Sequence, residues 1–272
     1  MSEYRSLQVL RPEPGIAEVR LLGPGRGNAM GPDFWRELPD AVSALSADAD
    51  LRAVVVFGEG GHFSFGLDLP AMAGVIAPHL ESGAAGRTGI IRQAAAMQRG
   101  FDLIANAPQP WIAGVDGWCI GAGIEMIAAC DLRLCSAAAR FALREVRVGI
   151  VPDLGGIQRL PHLVGEAHAR ALALTGDEID AVEAARIGLV GRVCDSAEAL
   201  RSETFALARR IAANPPLVVA GIKRCMGARI EAGVAAGNRE AATLNGLLMQ
   251  SEDFAEAIRA FMEKRAPSYR GR

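Results

Sequence analysis

A strand, a glycine turn and a helix follow one another directly between Trp111 and Ala129, and this succession constrains the chain most. The apolar run Trp111-Ile112-Ala113-Gly114-Val115 lies between Pro110 and Gly117, which predicts a short buried strand. Gly121-Ala122-Gly123 comes next, then Ile124-Glu125-Met126-Ile127-Ala128-Ala129, an apolar run of good helix formers. N–H groups at the start of such a helix have no intrahelical acceptor, so they can face a negatively charged oxygen. Glu125 falls in the first turn of that helix, and Glu145 and Asp153 lie in two further, mainly apolar stretches. Three carboxylates beside an anion site suit proton transfer on a substrate that passes through an enolate.

Around this unit the pattern alternates strand and helix. Residues 6–10 and 16–22 predict strands about the turn Arg11-Pro12-Glu13-Pro14-Gly15. A helix over 33–47 places Phe34, Leu38, Val42 and Leu45 at helical spacing, and Val54-Val55-Val56 predicts a buried parallel strand within 52–58. Residues 67–80 read as partly helical, 81–89 as a mobile Ser/Gly/Ala-rich segment, and 90–106 as helix ended by Pro108 and Pro110. Further on, 157–175 reads as mostly helix, broken or capped at Pro161. A short helix at 181–187 leads to a strand at 189–193. A helix over 196–213 stops at Asn214-Pro215-Pro216, and 217–264 reads as helix interrupted near Gly233 and Gly237. The fold class is α/β, with a core over residues 1–195 and a C-terminal helical segment over 196–272.

Composition removes several functions. Half of the 272 residues are hydrophobic, enough for a substantial core, and a net charge of −2 gives no basic field for nucleic acid. The five cysteines, odd in number and without a CxxC pair, suit reduced thiols in a cytoplasmic protein better than a disulfide framework or a zinc knuckle. The opening MSEYRSLQVL lacks a signal pattern, and no apolar run approaches the about 20 residues of a membrane span.

Five motifs in order carry a resemblance: His62-Phe63-Ser64-Phe65-Gly66-Leu67-Asp68-Leu69, residues 117–131, residues 144–161, Leu174-Thr175-Gly176, and Ala184-Ala185-Arg186-Ile187-Gly188-Leu189-Val190. Together they resemble the crotonase superfamily, the enoyl-CoA hydratase/isomerase family, over most of the chain. The resemblance implies a crotonase-like spiral of ββα turns with a helical C-terminal segment, an acyl-CoA thioester substrate, and a homotrimer or homohexamer. It implies that Leu67 and Ala122 are the two backbone donors to the thioester oxygen, and that Glu125 and Glu145 are the paired hydratase glutamates. Along the coenzyme A moiety it places Asn28, Ala29, Phe65, Leu67, Asp68, Leu69 and Gly121, with Arg26 as a candidate for a CoA phosphate. No separate cofactor, metal, nucleic acid or membrane is expected, since coenzyme A is part of the substrate.

Each assignment has a plainer reading. Gly121 and Gly123 are then packing glycines, Glu125 a dipole-favoured carboxylate, Glu145 a partner of a neighbouring arginine, and Asp153 a loop or N-cap aspartate. Asp68 is better read as fixing its own loop. Val151-Pro152-Asp153-Leu154-Gly155-Gly156 departs from plain hydratases, which usually carry glycine where Asp153 stands, and resembles the loop of dienoyl-CoA isomerases. Those enzymes in turn usually have aspartate at the position of Glu125. The leading expectation is hydration of a 2-enoyl-CoA by Glu125 and Glu145. Dienoyl-CoA isomerisation by Glu145 and Asp153 is the close alternative, and a non-catalytic acyl-CoA-binding scaffold the third. A dinucleotide fold lacks its third glycine, because Met126 stands there; a serine hydrolase built on Ser64 with His162 or His168 has histidine where its turn needs glycine.

Overall fold

The computed structural model describes residues 4–23, 27–80 and 82–272. Val54-Val55-Val56 lies in the middle of a six-stranded sheet, as a run of β-branched residues with two apolar faces requires. In chain order the first elements are β1 (Leu7–Glu13), β2 (Ile16–Leu21), α1 (Pro32–Ser46), β3 (Ala53–Gly58), α2 (Leu69–Leu80) and α3 (Gly83–Asn106). Next come β4 (Trp111–Val115), β5 (Trp118–Ile120), α4 (Ala122–Ala129), β6 (Leu132–Ser136), β7 (Arg140–Ala142), α5 (Gly156–Val164) and α6 (Glu166–Thr175). The chain closes with β8 (Glu178–Asp180), α7 (Ala181–Arg186), β9 (Arg192–Cys194), α8 (Ala197–Ala212), α9 (Pro216–Leu248) and α10 (Glu252–Glu263).

The main sheet runs β1-β2-β3-β4-β6-β9, antiparallel only between β1 and β2. A second sheet, β5-β7-β8, is extended by bridges pairing Ser64 with Cys119 and Met30 with Leu67. The chain thus lays one strand in each sheet before each helical stretch, at β3 and residues 62–67, at β4 and β5, and at β6 and β7. That repeat is the ββα spiral.

Period-two alternation sends each main strand to two cores. Val54, Val56, Ala113 and Val115 face the large core shared with α1, α3, α4 and α5. Val55, Phe57, Ile112 and Leu134 face α8, meeting Leu200, Phe205 and Ala208. Phe57 and Phe205 stack with ring centroids 6.1 Å apart, and burying one such side chain contributes about 1.5–3 kcal/mol. Glu18, fully buried on β2, accepts two hydrogen bonds from Arg201 of α8 at 2.8 and 2.6 Å and one from Arg20 at 2.7 Å. Burial opposes its charge, but these arginines outweigh that and lower its carboxyl below the usual range.

Several boundaries differ from the sequence expectations. Residues 83–89 are helix, not a mobile segment: Gly86 and Gly89 let the end of α2 at His79 pack directly on α3. Residue 81 lies outside the described residues. The break expected at Pro161 falls at Gly165, between α5 and α6. No interruption occurs at Gly233 or Gly237, and α9 runs unbroken for 33 residues. A glycine costs about 1 kcal/mol in a helix, but at 237 it admits the Gln158 side chain, whose Cγ would lie 2.5 Å from an added Cβ. The chain breaks later, where the Ser251 hydroxyl accepts the Phe254 N–H at 3.0 Å and opens α10. The strand expected at 189–193 starts at Arg192, and the three-residue strands β5, β7 and β8 are too short to show a period. No helix among the described residues is long and apolar enough to cross a membrane.

Candidate active site

Gly121 sets the start of α4. Its φ of 54° lies in the left-handed region, and its N–H donates to Ala142 O at 2.9 Å. A methyl on its Cα would lie 2.8 Å from Glu145 Oε1, so any side chain would displace that carboxylate. The turn leaves the Ala122 N–H at the first helical position, where no intrahelical carbonyl accepts it.

Leu67 arrives from the neighbouring strand of the second layer. Met30 N–H donates to Gly66 O at 2.7 Å and Asp68 N–H to Met30 O at 3.1 Å, so the bridge is made by the peptides on either side of Leu67. The N–H of Leu67 itself therefore faces away from Met30, toward the side on which residues 62–67 meet β5. A methyl on Gly66 would lie 2.6 Å from Ile120 O and 3.2 Å from Ala122 N. The turn just before Leu67 thus packs against the peptides that open α4 at Ala122.

The three carboxylates converge beside it. Glu125 is 1 % exposed, and its Oε2 accepts the N–H groups of Leu154 at 3.0 Å and Gly156 at 2.8 Å. Burial raises its carboxyl well above the ordinary range, and the charges of Glu145 and Asp153 raise it further, against the two N–H donors. Glu145 opens a single 3-10 turn, Glu145–Val148; its Oε2 is enclosed and has no hydrogen-bond partner among the described residues. Burial pushes its carboxyl up to about 7, opposed by its own backbone and assisted by Asp153. Asp153 is raised to about 6 by burial, against a hydrogen bond from Asn245 Nδ2 to its Oδ2 at 2.9 Å. Three such groups disfavour one another's ionisation, so near neutral pH the cluster retains protons and can both accept and deliver them.

Among the residues expected along coenzyme A, Asn28 has a φ of 54° and donates from Nδ2 to Glu59 O at 2.7 Å and His62 O at 2.8 Å. Its amide therefore braces the loop, leaving the backbone of Asn28 and the nearly buried Ala29 along the edge of residues 62–67. Phe65 N–H donates to Gly27 O at 2.8 Å, and its ring lies 5.0 Å from that of His62. Asp68 Oδ1 accepts the Ala71 N–H at 3.0 Å, turning that carboxylate into its own loop at the start of α2, where Leu69 is the first residue. Arg26 lies outside the described residues. The Ser64 hydroxyl is buried, donates to Asn28 O at 2.8 Å and accepts the Gly66 N–H at 3.0 Å, a bracing role that gives a serine hydrolase no free nucleophile.

Two residues that sequence reasoning missed hold the Asp153 loop. Gln98 of α3 donates from Nε2 to Asp153 O at 2.6 Å. Asn245 of α9 donates from Nδ2 to Val151 O at 2.8 Å and accepts the Val151 N–H on Oδ1 at 2.9 Å, besides its bond to Asp153. The available signal was an amide on the apolar stripe of each helix, since a buried polar side chain needs a partner.

The family described as Enoyl-CoA hydratase/isomerase matches residues 11–272. The chain is 35% identical to the peroxisomal Delta(3,5)-Delta(2,4)-dienoyl-CoA isomerase of Arabidopsis thaliana, across 99% of this chain and 98% of that protein. It is 36% identical to the carnitinyl-CoA dehydratase of Salmonella typhi, across the whole of both. Among solved structures, the enoyl-CoA hydratase/isomerase from Pseudoalteromonas atlantica T6c superposes with a TM-score of 0.85 at 29% identity, covering 98% of this chain and all of that one.

Proposed function

The chain belongs to the enoyl-CoA hydratase/isomerase family, and from that premise we propose that it converts a 3,5-dienoyl-CoA to the 2,4-dienoyl isomer. The observation that carries this reading is the placement of Asp153 in one enclosed cluster with Glu125 and Glu145. Hydration needs two carboxylates about one water. Moving a conjugated diene breaks a C–H bond at C2 and makes one at C6, and a third acid–base group serves that distant carbon.

In the proposed step the pair reacts from its less populated form, with the shared proton on Asp153, and Glu145 takes the proton from C2 through Oε2, which has no hydrogen-bond partner among the described residues. The electron pair of that C–H bond forms the C2–C3 double bond, the C3–C4 pair moves to C4–C5, and the C5–C6 pair takes a proton from Asp153 at C6. Charge that collects on the thioester oxygen meets the N–H groups of Leu67 and Ala122, whose worth is largest where water is excluded. Burial and the neighbouring carboxyls raise Glu125, which weighs against a further charge beside the base. A proton returned from Glu145 to Asp153 resets the site. Nothing is oxidised or reduced, so the chemistry calls for no cofactor beyond the coenzyme A of the substrate.

Hydration of a 2-enoyl-CoA is the second reading, favoured by the presence of both Glu125 and Glu145 and by the likeness to a dehydratase. The two are separated by incubation with 3,5-dienoyl-CoA and 2-enoyl-CoA in heavy water, followed by mass spectrometry. Isomerisation adds no water and at most exchanges acyl-chain protons for deuterium, whereas hydration adds the mass of a water. Addition of water alone would reverse the order of the readings.

The same reading extends to assembly and compartment. Leu217, Val218, Ile222 and Met226 of α9 are 87%, 58%, 56% and 70% exposed, which supports the helical segment 196–272 as the contact of a homotrimer or homohexamer on the core 1–195. Cysteines 119, 130, 135, 194 and 225 are all unpaired, which supports the cytoplasm, a compartment that the peroxisomal name of one relative leaves open.

A further inference from the structure

Asp153 and Asn245 are far apart in sequence, and their contact is made only because α9 runs unbroken past Gly233 and Gly237. Asn245 is 1 % exposed and its amide is fully employed. Oδ1 accepts the Val151 N–H, and Nδ2 divides its two hydrogens between Val151 O and Asp153 Oδ2. The pair of bonds to Val151 suffices to dock the loop on α9, and Gln98 secures the Asp153 carbonyl from α3. The third bond holds a carboxylate, and no loop-docking role requires it.

We propose that Asn245 is a positioning residue for the acid–base carboxyl of Asp153. In a neutral carboxyl the carbonyl oxygen is the better acceptor, so the N–H from Nδ2 on Oδ2 favours the acidic hydrogen on Oδ1 and fixes the plane in which it is offered. The inference rests on the isomerase reading, since orientation of Asp153 matters only if Asp153 exchanges a proton with the acyl chain.

The charged groups facing Asp153 act together with this bond. Glu125 of α4 and Glu145 of the 3-10 turn present carboxyls, while α3 and α9 present only the neutral amides of Gln98 and Asn245. Asn245 is thus the side-chain donor that opposes the rise imposed on Asp153 by burial. If the reacting enzyme carries one proton on the Glu145–Asp153 pair, its pH–rate profile is a bell centred midway between the two titrations. Weakening the bond from Asn245 raises the Asp153 titration and draws the centre upward by half that rise.

Asn245→Asp keeps an acceptor for the Val151 N–H and removes the amide donor; Asn245→Ser, too short to reach Asp153, is the second variant should the first fail to fold by circular dichroism. With 3,5-dienoyl-CoA, the expected result is a fall in kcat of about tenfold with KM within about twofold, and an optimum moved up by roughly half a pH unit. Combining the folded variant with Asp153→Asn is expected to add no further loss, because Asn245 acts through Asp153. A loss equal at every pH, no loss, or losses that multiply in the double variant would overturn the proposal and reduce Asn245 to loop packing. An Asp153→Asn single variant that isomerises at the parental rate would remove Asp153, and Asn245 with it, from the chemistry, whereas a parental protein that leaves 3,5-dienoyl-CoA unchanged would overturn the isomerase reading itself.

Discussion

The two halves of the candidate site are built differently. The expected anion side is backbone: the turn at Gly66-Leu67 packs against the helix start at Gly121-Ala122, where a methyl added to Gly66 would lie 3.2 Å from Ala122 N, and the two proposed donors are N–H groups. The carboxylate side is side chain: Glu125, Glu145 and Asp153 come from three segments and are held by Leu154, Gly156, Gln98 and Asn245. A backbone site tolerates changes in side chain and fails when the peptide or its glycine is altered. A side-chain site fails at the residue itself, and the buried charges it gathers weigh against folding.

This contrast can be broken most forcefully at Glu145. Glu145→Gln is expected to reduce isomerisation of 3,5-dienoyl-CoA and hydration of 2-enoyl-CoA alike by about a hundredfold or more, as steady-state rates would show. A rate within about threefold of the parent would remove Glu145 from the chemistry. On the backbone side, Ala122→Pro deletes one N–H and is expected to cost roughly a hundredfold in kcat, with circular dichroism confirming that the turn survives. A folded Ala122→Pro protein with full activity would remove that N–H from the oxyanion site.

Stability sharpens the comparison further. The Glu145 and Asp153 carboxyls are raised from 4.5 to about 7 and from 3.8 to about 6. The stability they contribute is therefore complete below their ordinary values and is lost as pH rises through about 6 and about 7. Glu145→Gln, inactive, is expected to melt a few degrees above the parent at pH 8 and to show no such gain near pH 4. An equal difference in Tm at both pH values would mean that the charge of Glu145 is not what weakens the fold. The smallest effect is expected at Leu67→Ala, which keeps the N–H: kcat should stay within about threefold, and a loss like that of Ala122→Pro would show that the Leu67 side chain, not its peptide, is used.

What was legible in the sequence follows the same division. The valine run of β3 and the strand, turn and helix around Ala122 are local signals of period and turn chemistry, whereas the roles of Ala122 and of the carboxylates at 125, 145 and 153 came from the family resemblance. Gln98 and Asn245 were marked only as amides on the apolar stripes of their helices, and which groups they hold was not legible because those partners lie 55 and 92 residues away. The glycines of α3 and α9 misled for a related reason. Their value is close approach of His79 and Gln158, a tertiary contact that overrides the helix penalty.

Asp153→Asn, assayed in heavy water with both 3,5-dienoyl-CoA and 2-enoyl-CoA, tests the division of labour among the carboxylates most directly. The amide fits the space of the carboxyl but has no acidic proton to deliver, so proton transfer at C6 should fall by about a hundredfold or more. Any addition of water across a 2-enoyl-CoA, which relies on Glu125 and Glu145, should persist at a substantial fraction of the parental rate. Selective loss of isomerisation is the result this account predicts; equal loss of both reactions, or loss of neither, would contradict it.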